Sequence, residues 1–207
     1  MSTTETPAAQ AGGIRLLERA LAYTSESLSL VTAASLDRPT PCTEWDVGEL
    51  LTHMNDSLLA LHEAIAIGQV NLAPVDEVAL GGRPDAQGLV AALRGRGCRM
   101  MGAWAVAQGD GPVAVGDAPL SSGIITAAGA LEVAVHGWDV AAAHGCRRPI
   151  PAPLANELLD LAPLLVTDAD RPGRFGAPLL PADAGPGTRL LAFLGREPGW
   201  VPTRPRS

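Results

Sequence analysis

The chain contains no lysine, and all 15 of its basic residues are arginine. That bias reads as GC-rich coding rather than as a binding requirement. Aromatic residues make up only 3% of the 207 positions, while alanine supplies much of the 47% apolar content. Such a composition favours closely packed helices over an aromatic-rich β-sandwich. Positive charge is in deficit, with a net charge of −7. A broad nucleic-acid surface, normally basic, is therefore not expected. No stretch of 18 uninterrupted apolar residues occurs, so no membrane span is expected. Met1 to Gly13 lacks the basic and apolar regions of a signal peptide, which leaves a cytoplasmic location as the expectation.

Cysteine is scarce as well. Cys42, Cys98 and Cys146 are odd in number and widely spaced, which excludes a closed disulfide framework and a Cys-x-x-Cys metal module. They read as reduced thiols packed as small apolar groups. Cys42 lies just before a helix start, where a helix dipole favours a thiolate, but packing is the simpler reading. No dinucleotide fingerprint, phosphate-binding loop or Gly-x-Ser-x-Gly elbow is present. Ser121 and Ser122 read as helix caps rather than nucleophiles.

Apolar periodicity organises the rest. Residues 1–13 read as a disordered tail, and 14–207 as one domain. A first helix is expected over Ile14–Ala33, with Leu17, Leu21, Leu28 and Val31 inward. A proline-bearing connection leads to a second helix, with Thr43 as N-cap, Glu44 and Asp46 in the first turn, and Asp46 as the acidic partner of a capping box. Leu50, Met54, Leu58, Leu61 and Ile65 mark its buried side, and Gly68 ends it. The long connection Gln69–Pro84 is of a length that often covers a site. Asp85 can cap a third helix reaching Ala107, in which Gly95 and Gly97 either weaken the helix or admit a close neighbour. A short extended piece, Val113–Val115, precedes a fourth helix over Ser122–His144. A shorter helix over Pro153–Thr167 follows, then a proline- and glycine-rich tail with helical turns at Arg189–Leu194. The sum is an all-α bundle of four main helices with a short, irregular C-terminal appendage.

Histidine is the most informative scarcity, with four in the chain. His136 lies four residues after Glu132 in an apolar helical run, so the two share one helix face. Burying either alone is costly, and a divalent metal is one partner that would relieve the cost. His53 also sits in an apolar helical run. Two imidazoles and a carboxylate, His53, Glu132 and His136, would leave coordination positions open, as catalytic metal sites do. The bland readings are a hydrogen-bonded core histidine and a simple helical side-chain pair. Asp139, one turn beyond His136, either orients the imidazole through its second nitrogen or pairs elsewhere. Asp56 either lines the same cavity or faces solvent. His62 reads as a rim residue and His144 as a helix-end residue. Trp45 and Trp138 read as core.

Two segments carry a resemblance. Thr40-Pro41-Cys42-Thr43-Glu44-Trp45-Asp46-Val47-Gly48-Glu49-Leu50-Leu51-Thr52-His53 resembles the opening of actinobacterial DinB-like metal-binding proteins, which are related to the N-terminal domain of mycothiol-dependent maleylpyruvate isomerase. Glu132-Val133-Ala134-Val135-His136-Gly137-Trp138-Asp139 is similar to the second motif of that family. Pro181-Ala182-Asp183-Ala184 and Arg189-Leu190-Leu191-Ala192-Phe193-Leu194-Gly195-Arg196 resemble its C-terminal signature. The resemblance implies a DinB-like four-helix bundle and a divalent metal on His53, Glu132 and His136, with zinc first and nickel or another ion as alternatives. It also implies chemistry with a low-molecular-weight thiol such as mycothiol, in a transferase or isomerase of small-molecule metabolism. The chain ends before a second domain comparable to that of the isomerase, so maleylpyruvate isomerisation itself is not expected. A thiol-independent biosynthetic tailoring enzyme and a non-catalytic metal- or ligand-binding protein stay open. The expected partner is a small-molecule substrate, with a homodimer as an open alternative.

Overall fold

The computed structural model describes residues 7–43, 45–67, 69–70, 85–106, 113–115, 118–180 and 184–202. Four long helices form the body: α1 (Pro7–Leu28), α2 (Val47–Ile67), α3 (Ala86–Val106) and α4 (Ser122–Ala143). Two shorter ones, α5 (Ala152–Leu165) and α6 (Pro186–Phe193), belong to the C-terminal appendage. The architecture is an all-α, DinB-like four-helix bundle. Three short strands stand beside it: β1 (Gln69–Val70), β2 (Val113–Val115) and β3 (Ala118–Leu120). β2 lies between a parallel β1 and an antiparallel β3.

Each helix buries a stripe at helical spacing. Leu17, Ala20, Thr24 and Leu28 supply that of α1, and Leu50, Leu51, Met54 and Leu58 that of α2. Leu89, Leu93 and Met100 do the same for α3. α4 differs, being buried on nearly every side from Ile125 to Ala143. Among the described residues it is the one helix long and apolar enough to cross a membrane, and it lies in the core of the bundle.

Small residues set the spacing around α4. A Cβ on Gly137 would stand 2.3 Å from Thr24 Oγ1 and 3.1 Å from Thr24 Cα. The Thr24 hydroxyl donates to the Val133 carbonyl at 2.7 Å, so α1 rests directly on the α4 backbone. Gly129 similarly receives Leu61 of α2. Gly97 of α3 meets Leu21 of α1, the close approach that one reading of the sequence anticipated; Gly95 meets only Arg99 of its own helix.

Several boundaries differ from the sequence reading. α1 begins at Pro7, so residues 7–13 are helical rather than part of a tail; residues 1–6 lie outside the described residues. α1 ends at Leu28, short of Ala33. The cap of α2 is Asp46 rather than Thr43: Asp46 Oδ1 accepts from the Glu49 amide and Glu49 Oε2 accepts from the Asp46 amide, each at 2.9 Å. This is a capping box one turn later than expected. The cause is the turn before the helix: Pro39 and Asp46 pair as an antiparallel bridge and the intervening chain turns back on itself. Glu44 lies outside the described residues, as does 71–84, most of the connection read as a lid. Asp85 and Ser121 cap α3 and α4 as expected. Cys98 is exposed rather than packed.

Candidate metal centre

The site lies between α2 and α4 and is roofed by the appendage. On α4, Glu132 and His136 are one turn apart, with His136 Nε2 3.0 Å from Glu132 Oε2. Across the interface, His53 Nε2 of α2 stands 3.6 Å from the same Oε2. One donor atom from each residue lies within 4.8 Å of the other two. All three residues line a cavity of about 390 Å³.

The opposite edge of His136 is fixed. Its Nδ1 lies 3.0 Å from Asp139 Oδ2, and an ionised carboxylate only accepts, so Nδ1 carries the proton and donates. Asp139 is fully buried and is held in turn by Arg196, whose Nε and Nη2 lie 3.2–3.4 Å from its two oxygens. His53 is held differently. Its ring stacks on Trp45, with centroids 4.3 Å apart and planes tilted by 37°. Trp45 is positioned by the turn before α2, where the buried Thr40 hydroxyl accepts from the Cys42 amide at 3.1 Å and reaches the Trp45 carbonyl at 2.8 Å.

Electrostatics follow from these contacts. Burial opposes ionisation of Glu132, but hydrogen bonds from His136 and His53 outweigh it and hold the carboxyl well below the usual range. Burial likewise opposes a charged His136. Asp139 and Glu132 on its two nitrogens outweigh that and push it up to about 9.

The structure therefore brings together His53, Glu132 and His136, with Asp139 behind His136. Asp56 is exposed and does not line this cavity. His62 is half-buried and stands apart from the cluster. His144 closes α4, its Nδ1 2.8 Å from the Val140 carbonyl. Trp138 is core, but Trp45, read as core, is a wall of the cavity. Sequence reasoning quoted Arg196 within the C-terminal signature but gave it no role, and it missed Phe175; both reach the cavity from the appendage, and Cys42, for which packing was the simpler reading over a reactive thiolate, lines the same cavity. The available signals for Arg196 were its place in that signature and its position just past the glycine that follows an apolar helical turn.

Residues 17–141, which carry all three cavity side chains and Asp139, match the mycothiol maleylpyruvate isomerase N-terminal domain. Uncharacterized proteins of Mycobacterium tuberculosis strains ATCC 25618 / H37Rv and CDC 1551 / Oshkosh are each 31% identical over 173 residues, spanning 82% of this chain and 89% of theirs. No solved structure matches the chain. With its bundle, its two motifs and more than half its length matched, the chain belongs to the mycothiol maleylpyruvate isomerase N-terminal domain family.

Proposed function

We propose that the protein is a divalent-metal-dependent enzyme of small-molecule metabolism that works with a low-molecular-weight thiol of the mycothiol type, as a transferase or isomerase. The observation that carries this reading is the convergence of His53, Glu132 and His136 on one side of a cavity whose remaining walls are Trp45, Leu131 and Phe175 among others. The donor set fits a metal. For bonds of about 2.0–2.1 Å in a tetrahedral arrangement, ligand atoms should stand roughly 3.3 Å apart. The 3.0 and 3.6 Å separations about Glu132 Oε2 straddle that distance. Two imidazoles and one carboxylate suit zinc first, and nickel or another borderline divalent ion next. With three protein ligands, a coordination position is left for a ligand from the cavity.

A bound ion would supply Lewis acidity, making a thiol or water nucleophilic at neutral pH or polarising a carbonyl. The chain's own residues do the remainder. Glu132 contributes negative charge that offsets that of the ion. Asp139 accepts a hydrogen bond from Nδ1–H, which keeps the proton on Nδ1 and turns Nε2 of His136 toward the cavity. Trp45, Leu131 and Phe175 exclude water from one side of a small ligand.

Metal analysis of purified protein, followed by turnover screens with and without mycothiol, tests the reading. Stoichiometric metal and thiol-dependent turnover are expected. Turnover that ignores the thiol would move the protein to thiol-independent tailoring, and metal without any turnover would make it a binding protein. Glu132→Gln should lower metal occupancy together with rate. Full occupancy with no turnover would reassign Glu132 as general base.

A further inference from the structure

The family match ends at residue 141, yet the cavity is not complete there. Asp139 is wholly inaccessible, and the charge facing its carboxylate from the side away from His136 comes from Arg196, 57 residues further along the chain. An unpaired buried carboxylate is costly and would turn toward any available donor. Arg196 meets both Asp139 oxygens, which fixes the plane of the carboxylate and aims Oδ2 at His136.

The appendage is built to deliver this guanidinium. The Arg196 amide donates to the Leu191 carbonyl at 2.8 Å, closing the end of α6. Gly195 has φ +74°, a left-handed conformation that suits glycine, and a Cβ there would stand 2.5 Å from the Gly176 backbone. Arg171 braces the same junction, donating to the carbonyls of Gly176 and Phe193. Two loops of the appendage thus lock against each other beside the cavity, and Arg196 follows directly from the lock.

We propose that Arg196 is a positioning residue of the metal centre, acting through Asp139 to hold His136 with Nε2 facing His53 and Glu132. The C-terminal appendage is then part of the site and not a cover added to a finished bundle. The proposal rests on the metal reading above for its consequence, but not for the orientation of His136, which is a property of the metal-free chain.

The test uses full-length protein with Arg196→Met, Arg196→Lys and Asp139→Asn, and the Arg196→Met/Asp139→Asn double variant. In metal-free protein, the His136 Nδ1 proton is followed by NMR as a slowly exchanging downfield resonance. Affinity for zinc is measured by competition with a chromophoric chelator. Arg196→Met should abolish or shift the resonance and weaken zinc binding by roughly 10- to 100-fold, as loss of a partner behind a ligand does. Arg196→Lys should restore part of both. The double variant should be no worse than the more affected single variant, because both substitutions break one chain of contacts. If Arg196→Met is unfolded by circular dichroism, Arg196→Lys and Asp139→Asn decide the matter through the same two readouts. An unchanged resonance in every folded Arg196 variant, or additive losses in the double variant, would overturn the proposal. If wild-type protein binds no metal, the metal reading fails, and the resonance alone decides the role of Arg196.

Discussion

The two walls of the cavity hold their histidines by different means. On the α4 wall, the His136 side chain is 7% exposed and both nitrogens have carboxylate partners, one of them locked by a buried arginine. On the α2 wall, the His53 side chain is 34% exposed and is held by the Trp45 ring and one longer contact to Glu132. A ligand whose second nitrogen and ring plane are fixed in advance loses little freedom on binding a metal. One held by a stacking contact at a solvent-facing edge can still adjust. The α4 wall is therefore the preorganised half of the centre, and the α2 wall the half that adapts to ion and substrate.

The largest expected effect separates the two histidines. Structural zinc sites bind with about 10–16 kcal/mol, so one of four ligands accounts for roughly 10²–10³-fold in affinity. His136→Ala should lose at least that much, because it removes the preorganised ligand and also takes the Nδ1–H donor from the buried Asp139. His53→Ala should lose less, roughly tenfold, with its vacancy open to water. Chelator competition on both variants checks the ranking, and equal losses would erase the contrast between the walls.

Acidity sharpens the contrast next. In the metal-free protein, His136 is raised to about 9, above its ordinary value of about 6.5. Its contribution to stability is fully present below about pH 6.5 and is lost as pH rises through about 9. Metal binding has the opposite sign, since the ion must replace the proton on Nε2. Zinc affinity should rise about tenfold per pH unit up to about pH 9. Denaturant midpoints of metal-free protein and affinities measured at several pH values test both slopes. A flat affinity profile between pH 6 and 8 would show that His136 is not the residue giving up the proton.

Smaller effects concern how each wall is mounted. Gly137→Ala forces α4 away from Thr24 and should cost about 1–3 kcal/mol, read from the denaturant midpoint. Gly102→Ala on α3, where an added Cβ meets nothing within 4 Å, is the control. It should be neutral or stabilising by up to about 1 kcal/mol. If the two behaved alike, close approach would not be what seats the α4 wall. The smallest effect belongs to the α2 wall: Asp46→Ala removes the capping box and should cost about 1 kcal/mol while leaving zinc affinity within a fewfold of wild type.

Much of this was legible before any coordinates, for reasons that are local. Apolar spacing marks four long helices because burial of one face repeats every three or four residues. The i, i+4 relation of Glu132 and His136, and the further turn to Asp139, follow from helix geometry alone. So do the caps at Asp85 and Ser121. Where local helix rules misplaced an element, a backbone contact outside the helix intervened. The Pro39–Asp46 bridge moved the start of α2 from Thr43 to Asp46, and with it Trp45 left the helix and became a wall of the cavity.

Helix phase specifies which residues share a face, but not which face a neighbouring helix will meet. The meeting of His53 with Glu132 and His136 depends on how closely α2 approaches α4, where Gly129 receives the Leu61 side chain. The same indeterminacy left Asp56 open until the structure turned it to solvent. The Arg196–Asp139 contact lay furthest from local reasoning, because it joins segments whose sequences carry no shared period. Periodicity in the sequence determined the bundle and half of the site. Long-range packing chose the azimuth of each helix and brought the appendage onto α4, because only the folded chain equates positions that no local rule relates.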